Sequence, residues 1–425
     1  MSEKLLLEIT SMANRGLGLA RLDGKVYFVH NCVPGDKVEA KIIKQAKTYA
    51  LAQPIQYIDR SALHGRSPCS FFPTCGGCQW IDIDLDQQKH WKLEFLTHQM
   101  RDIPPDSISY MESPGAFEYR NRIQLQIEFE PSRGIQVGFF SHSSHELVAI
   151  DFCRVADPAV NAVIKAVTSF TLTNAKRFQC RIELQSVLAA KTSGRQVLAT
   201  ISERSDDTKI LRQTLAELSQ VAWCGFERDA PKAPFFLHDR FAGIDFHALP
   251  ACFQQVNTEA NRRLQQLVLD EIQRTTPRSM LDLFSGSGNL SLACSKFVEE
   301  LVCVEEHPSS IRCGNHNIKS NPIPNATFIE QPVHQFLKTN KRKFDAILLD
   351  PPRSGIKEEA SLVANMRPKS ILYVSCDLMT LARDLGILKQ HGYSIKKIHA
   401  MNFFPHTFHL ENFVVLEQNN QHVER

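Results

Sequence analysis

From Asn257 onward, short apolar runs recur with helix-length stretches between them: Met280-Leu281-Asp282-Leu283, Leu301-Val302-Cys303-Val304, Ala346-Ile347-Leu348-Leu349 and Ile371-Leu372-Tyr373-Val374. Such runs suit strands covered on both faces, and the intervening helices supply the cover. The alternation predicts a doubly wound α/β sheet. Open sheets of this kind bind ligands at the carboxyl ends of their strands, so the residues that follow each run are the first place to look for chemistry.

The run Leu281-Asp282-Leu283 leads into Phe284-Ser285-Gly286-Ser287-Gly288-Asn289, with two glycines between a strand and a helix. Backbone without side chains lets a ligand approach closely, which implies a nucleotide-like molecule. The turn has no Gly-Lys-Ser/Thr and lacks the third glycine of the dinucleotide fingerprint, which disfavours a triphosphate loop. Glu305 ends the next strand, where a carboxylate can accept from ribose hydroxyls. Asp350-Pro351-Pro352-Arg353 follows the third run, and its prolines stiffen a loop at the same edge. Cys376 follows the fourth run and precedes a helix expected over 379–389, whose N-terminus would favour thiolate over thiol. Pro405-His406-Thr407-Phe408-His409-Leu410-Glu411 is dense in groups that move or orient protons, and Glu411 can serve as a base. Each motif also has a plainer reading as a strand turn, a rigid loop, a buried thiol or a surface turn.

Upstream the rhythm differs. Leu5-Leu6-Leu7-Glu8-Ile9, Gly16-Leu17-Gly18-Leu19-Ala20 and Val26-Tyr27-Phe28-Val29 are short β-like runs separated by turns, which predicts a small barrel over 1–59. Lys37, Lys41, Lys44 and Lys47 form either a phosphate-facing surface or a solvated strand face. Cys69-x5-Cys75-x2-Cys78 lies in a loop-like stretch and presents three soft ligands, suited to zinc or an iron–sulfur cluster once Cys153 supplies a fourth. The spacing is not the Cys-x3-Cys-x2-Cys of radical enzymes. An amphipathic helix is expected over 85–100. Strands such as Arg122 to Ile127, with helices over 160–170 and 211–218, make the middle region α+β.

The length of 425 residues predicts about three domains. No apolar run approaches the roughly 18 residues of a membrane helix, so membrane spanning is not expected. The net charge of +3 is too mild to imply nucleic acid by itself, so any basic surface must be local. Met1-Ser2-Glu3-Lys4-Leu5 carries no secretion signal, and the expected location is the cytoplasm. There the 12 cysteines are expected to be buried, catalytic or metal-bound rather than a disulfide framework.

In this order the motifs resemble the bacterial 23S rRNA uracil-5-methyltransferases, relatives of the tRNA uracil-5-methyltransferase, over essentially the whole chain. The resemblance implies an N-terminal TRAM β-barrel that grips RNA (1–59) and a central α+β iron–sulfur-containing region (60–84 and 117–250). It also implies a Rossmann-like S-adenosylmethionine-dependent methyltransferase domain (85–116 and 251–425). The barrel and the cysteine quartet together favour the rRNA enzyme over the tRNA enzyme. By resemblance Cys69, Cys75, Cys78 and Cys153 hold a [4Fe-4S] cluster, with zinc as the alternative. The S-adenosylmethionine site uses Gln255, Phe284, Asn289, Glu305, Gln331 and Asp350, with Gln331 standing where relatives usually have Asn. Cys376 is the nucleophile and Glu411 the base. The chain departs from the usual Ser-Cys-Asn-Pro at Asp377-Leu378 and from Gly at Phe408, neither of which removes a reacting group.

The implied reaction is methylation of carbon 5 of one uracil in 23S rRNA, position 1939 by the resemblance, by a monomer. A thiolate adds at carbon 6 to make carbon 5 nucleophilic, and a base later removes the carbon 5 proton. The target base has to leave its stack, with Tyr119, Arg120 and Arg122 offering stacking and charge or else an ordinary strand edge. The rival readings are a tRNA or other RNA uracil methyltransferase and an inactive, metal-stabilised RNA-binding protein.

Overall fold

The computed structural model describes residues 4–100, 103–141, 144–189 and 194–419. The chain divides into two compact units: residues 1–98, 139–148 and 404–409 form the first, and residues 99–138, 149–403 and 410–425 the second. Among the described residues no helix is long and apolar enough to cross a membrane.

In the first unit the strands Lys4–Glu8, Ser11–Ala13, Leu17–Leu22, Lys25–Val29, Lys37–Gln45 and Tyr49–Asp59 form one sheet, ordered first, fifth, sixth, fourth, third, second. The Thr10 N–H donates to the Leu19 carbonyl at 2.9 Å, which brings the end of the first strand back to the third. The sheet curls around Leu7, Ile9, Ala20, Tyr27, Val29, Val38, Ala40, Ala50 and Ala52. Alternation sends these side chains inward, and the four alanines permit tight curvature. Lys37, Lys41, Lys44 and Lys47 are all exposed, as a phosphate-facing or solvated surface requires.

The helix Leu85–Gln99 also belongs to this unit, and its buried side is not the apolar stripe expected of it: Gln88 and Lys92 are buried beside Trp91 and Leu96. Loop carbonyls explain them. Gln88 Nε2 donates to the carbonyls of Trp80 (2.9 Å) and Ile83 (2.8 Å), and its Oε1 accepts from the His406 N–H (2.8 Å). Lys92 Nζ donates to the Phe404 carbonyl at 3.2 Å. Buried polar groups are tolerated where such bonds are made.

The second unit holds two larger sheets. The middle region runs Gly134–Phe140, Arg122–Glu130, Phe178–Leu188, Arg195–Ile201, Val221–Phe226, antiparallel except for the last pair. The helices Pro158–Val167 and Asp206–Ala216 begin at side-chain caps from Asp157 and Ser205, which fix their starts a few residues before the expected 160 and 211.

The other sheet has eight strands in the order Ala326–Glu330, Glu300–Glu305, Ser279–Leu283, Ala346–Leu349, Ser370–Ser375, Glu411–Gln418, Tyr393–Met401, Ile108–Met111. The first five are mutually parallel, and Glu411–Gln418 is antiparallel to both its neighbours. Ser279–Leu283, Ala346–Leu349 and Ser370–Ser375 are buried almost throughout, as continuous apolar runs demand. The expected doubly wound sheet is therefore present, with an antiparallel strand that turns out to matter for the site.

Candidate active site

After Ser279–Leu283 the chain steps outward through Glu300–Glu305 to Ala326–Glu330, then crosses back to Ala346–Leu349 on the other side. That reversal opens a crevice at the carboxyl ends of the two central strands. Phe284 stands at its start in a left-handed conformation (φ 62°), followed by Gly286 (φ 56°) and Gly288 (φ 84°). A Cβ on Gly288 would lie 2.5 Å from Leu292 Cγ, so only glycine lets the turn close on itself. A Cβ on Gly286 would meet nothing within 4 Å, so this backbone borders open space.

Three backbone donors orient Glu305. The Gly286 N–H donates to Oε2 at 3.0 Å, and the N–H groups of Glu306 (3.0 Å) and His307 (2.8 Å) donate to Oε1. Gln331 follows the edge strand, its N–H donating to the Glu305 carbonyl at 3.0 Å. The Asn289 amide is engaged with Asn261 on the helix Thr258–Thr275: each side chain donates to the other, at 2.8 and 3.0 Å. Gln265 adds a bond of 2.8 Å to the Asn289 carbonyl. The Gln255 carbonyl accepts from Asn121 Nδ2 at 3.0 Å, which ties the segment entering that helix to the middle sheet.

Val374 and Ser375 pair with Phe413 and Asn412 across the antiparallel ladder. One further step of this register brings Cys376 opposite Glu411. Cys376 is half-buried, and Glu411 is only 4% exposed. Arg353 donates to the Cys376 sulfur, and its charge also favours the Glu411 carboxylate. Burial pushes the Cys376 thiol up to about 11, with Glu411 and Asp350 adding to the rise and Arg353 opposing it. Glu411 is raised well above the usual carboxylate range by burial and then by Asp350. Asp350 is raised to about 7 by burial, and Asp282, buried in the strand beneath the glycine turn, to about 8.

Two features weigh against a helix-stabilised thiolate at rest. The helix Leu378–Gln390 is capped by Asp377, whose Oδ1 accepts from the N–H groups of Met379 and Thr380, both at 3.0 Å. With those donors taken and the sulfur desolvated, the resting group is a thiol. The same bonds show what Asp377 does in place of Asn: it caps.

Raised acids in a desolvated crevice favour a cationic ligand, because a positive charge restores their ionisation. S-adenosylmethionine, a sulfonium with a ribose for Glu305 and an open approach along Gly286, fits these residues. Cys69, Cys75, Cys78, Cys153 and Cys376 are half-buried, whereas the other seven cysteines are buried. Among the described residues no group of three or more His, Cys, Asp or Glu side chains is gathered so as to hold a metal ion.

Comparison with known proteins bears on the same residues. The family described as tRNA (Uracil-5-)-methyltransferase matches residues 226–419, and the TRAM domain matches residues 3–55. The chain is 29% identical over 426 residues to the 23S rRNA (uracil(1939)-C(5))-methyltransferase RlmD of Haemophilus influenzae (strain 86-028NP), covering 97% of this chain and 96% of that protein. It is 28% identical over 434 residues to the protein of the same name from Francisella tularensis subsp. novicida (strain U112), with the same shares covered. Over nearly its whole length the chain is therefore similar to RNA uracil-5-methyltransferases. The crystal structure of Pyrococcus abyssi tRNA (uracil-54, C5)-methyltransferase in complex with S-adenosyl-L-homocysteine superposes with a TM-score of 0.72. It is 22% identical and covers 97% of this chain and 100% of that one, a likeness of fold.

Sequence reading passed over three features of the crevice. Arg353 was visible only as the end of the Asp-Pro-Pro-Arg loop. Asn261 and Gln265 sit one helical turn apart, a spacing that marks them as one face but not as supports of Asn289. Phe253, just before Gln255, is 63% exposed with the Arg122 guanidinium 5.5 Å from its ring centroid. Tyr119, expected to offer stacking, is instead buried, whereas Phe253 and Phe117 are exposed.

Proposed function

We propose that this chain is an RNA uracil-5-methyltransferase that acts on 23S rRNA, transferring the methyl group of S-adenosylmethionine to carbon 5 of one uracil through a covalent Cys376 adduct. The observation that carries the adduct is the register that faces Cys376 with Glu411 beside Arg353. The rRNA target rests on relatives named 23S rRNA (uracil(1939)-C(5))-methyltransferase that align over nearly their whole length. The same alignment supports position 1939.

Carbon 5 of uracil is a weak nucleophile until carbon 6 is attacked. As Cys376 gives up its proton to water, its sulfur bonds to carbon 6 and the ring electrons move to the carbonyl oxygen at carbon 4. Carbon 5 of the resulting enolate is then nucleophilic. When bound, S-adenosylmethionine supplies an electrophilic methyl group. Gln255, Phe284, Asn289, Glu305, Gln331 and Asp350 bind and orient it, with Asn289 held in place by Asn261. Glu411 then takes the proton from carbon 5, and the electrons of that bond re-form the ring double bond as sulfur leaves carbon 6. Burial favours the protonated form of Glu411 and the Arg353 charge favours its carboxylate; once ionised beside Arg353, a buried carboxylate binds a proton more strongly than an exposed one, which suits this step. All these residues come from one compact unit of a single chain, which supports action as a monomer, in the cytoplasm where rRNA is made.

Cys69, Cys75, Cys78 and Cys153 are the proposed [4Fe-4S] ligands, with the cluster fixing the RNA-binding region rather than carrying electrons. The Cys69-x5-Cys75-x2-Cys78 spacing, three soft ligands in one loop, supports this. Iron and sulfide assays on anaerobically purified protein test it: about four of each per chain, lost in Cys75→Ser, is the expected result.

The decisive test of the reaction is tritium release from 23S rRNA labelled at uracil carbon 5. Release that depends on S-adenosylmethionine and disappears in Cys376→Ala is expected. Release from tRNA alone would move the target to tRNA, and none from either RNA would leave a binding protein.

A further inference from the structure

The loop that carries Arg353 is fastened to one helix. Asp384, fully buried on Leu378–Gln390, accepts from the Ile356 N–H at 2.7 Å and from the Tyr373 hydroxyl at 2.8 Å through Oδ2. Its Oδ1 accepts from Arg383 Nε at 2.8 Å, and Arg383 Nη2 donates to the Ser354 carbonyl at 2.8 Å. Thr380 Oγ1 donates to the Arg353 carbonyl at 3.1 Å. Gly355 has φ 70°, and a Cβ there would fall 2.3 Å from Asp384 Oδ2. Residues 380, 383 and 384 share a face of the helix, so a single surface grips residues 353–356 through backbone groups. Pro351 and Pro352 have no N–H with which to anchor the other end of the loop.

We propose that Asp384 is a positioning residue of the methyl-transfer reaction, holding the Arg353 loop so that the guanidinium stands beside Cys376 and Glu411. This inference rests on the reading of Cys376 as the nucleophile. Asp384 touches neither the sulfur nor the Glu411 carboxylate. Its buried charge is committed to an N–H, a hydroxyl and a guanidinium, and two of those three donors belong to the loop or bind it. The groups that act on Cys376 are Arg353 and Asp350 from the loop after Ala346–Leu349 and Glu411 from the adjacent strand, with the Asp377 cap next to it in sequence. Arg353 is the one cation among them. If the loop slackens, the sulfur keeps its acidic neighbours and loses the group that stabilises its thiolate.

The test is the rate of iodoacetamide alkylation at Cys376, followed on its own peptide by mass spectrometry against pH, in the full chain without RNA or S-adenosylmethionine. Loss of one neighbouring cation raises a thiol by about one pKa unit, which is about tenfold less thiolate. Asp384→Asn and Arg353→Gln are each expected to slow alkylation at pH 8 about tenfold. The double variant should be no slower than Arg353→Gln alone, and the Kd for S-adenosylmethionine should stay within about twofold. Alkylation of Asp384→Asn at the wild-type rate, or losses that multiply in the double variant, would overturn the proposal. If Asp384→Asn does not fold, Thr380→Val removes the bond to the Arg353 carbonyl and must also slow alkylation; a wild-type rate there overturns it equally. The readout needs no methyl transfer, so failure here and failure of tritium release are separate results.

Discussion

The stability of the first unit is expected to fall between pH 6.5 and about 9 because of one histidine. His64 is clamped between two acids, its Nδ1 2.7 Å from Asp82 Oδ2 and its Nε2 2.9 Å from Asp36 Oδ2. The three side chains are 4%, 1% and 0% exposed in the order His64, Asp82, Asp36. Both ring nitrogens can donate to both carboxylates only when the imidazole is charged. Burial opposes that charge, but the hydrogen bonds to Asp36 and Asp82 outweigh it and raise His64 from 6.5 to about 9. A raised folded pKa means the stabilisation is complete below 6.5 and is lost as pH climbs through 9. At about 1.4 kcal/mol per unit, the shift corresponds to about 3 kcal/mol. Asp36, whose own pKa is lowered by bonds from His64, Ser61 and Val33, titrates far below this window. Urea unfolding of the full chain, followed by Trp80 and Trp91 fluorescence in a Trp223→Phe background, reads the first unit. Against His64→Gln as reference, the difference in unfolding free energy should shrink by about 3 kcal/mol from pH 6.5 to 9.5. A difference that stays level over that range would refute the clamp as a charged device.

Three further outcomes follow from the site. Glu411→Gln should accumulate a covalent RNA–protein band on denaturing gels with S-adenosylmethionine present, because the methylated adduct can form but cannot lose its carbon 5 proton; a mutant that turns over normally would remove Glu411 as the base. Gly288→Ala should cost about 2 kcal/mol and weaken S-adenosylmethionine binding, since its Cβ meets Leu292 Cγ at 2.5 Å and Phe328 Cζ at 3.1 Å, and thermal melting with calorimetric titration checks both. Affinity for S-adenosylmethionine should weaken about tenfold from pH 8 to pH 6: Asp350, raised to about 7, must give up its proton to face a cation, so proton release should appear as a buffer-dependent binding enthalpy.

Much of this protein was legible along the chain because its signals are local. Apolar runs at helix-spaced intervals dictated the parallel strands, and the residues after each run necessarily fell at the carboxyl edge, which is how Glu305, Asp350 and Cys376 drew attention, while Phe284 was singled out by the resemblance. Turn residues between short β runs likewise marked the barrel. The partnerships, by contrast, were decided only in three dimensions. Nothing near Cys376 in sequence foretells that an antiparallel strand returns Glu411 to face it, or that Arg353, on a different loop, reaches its sulfur. Asn289 was marked by its place in a glycine turn, but its tie to Asn261 required the packing of a distant helix. The thiol state of Cys376 went against the local reading, since proximity to a helix start suggested a thiolate and burial among carboxyls reversed it. Periodicity and turn chemistry depend on neighbours in the chain, and the sequence carries them openly. Burial, register and charge balance depend on which distant segments exclude water together, so they exist only once the tertiary structure has formed.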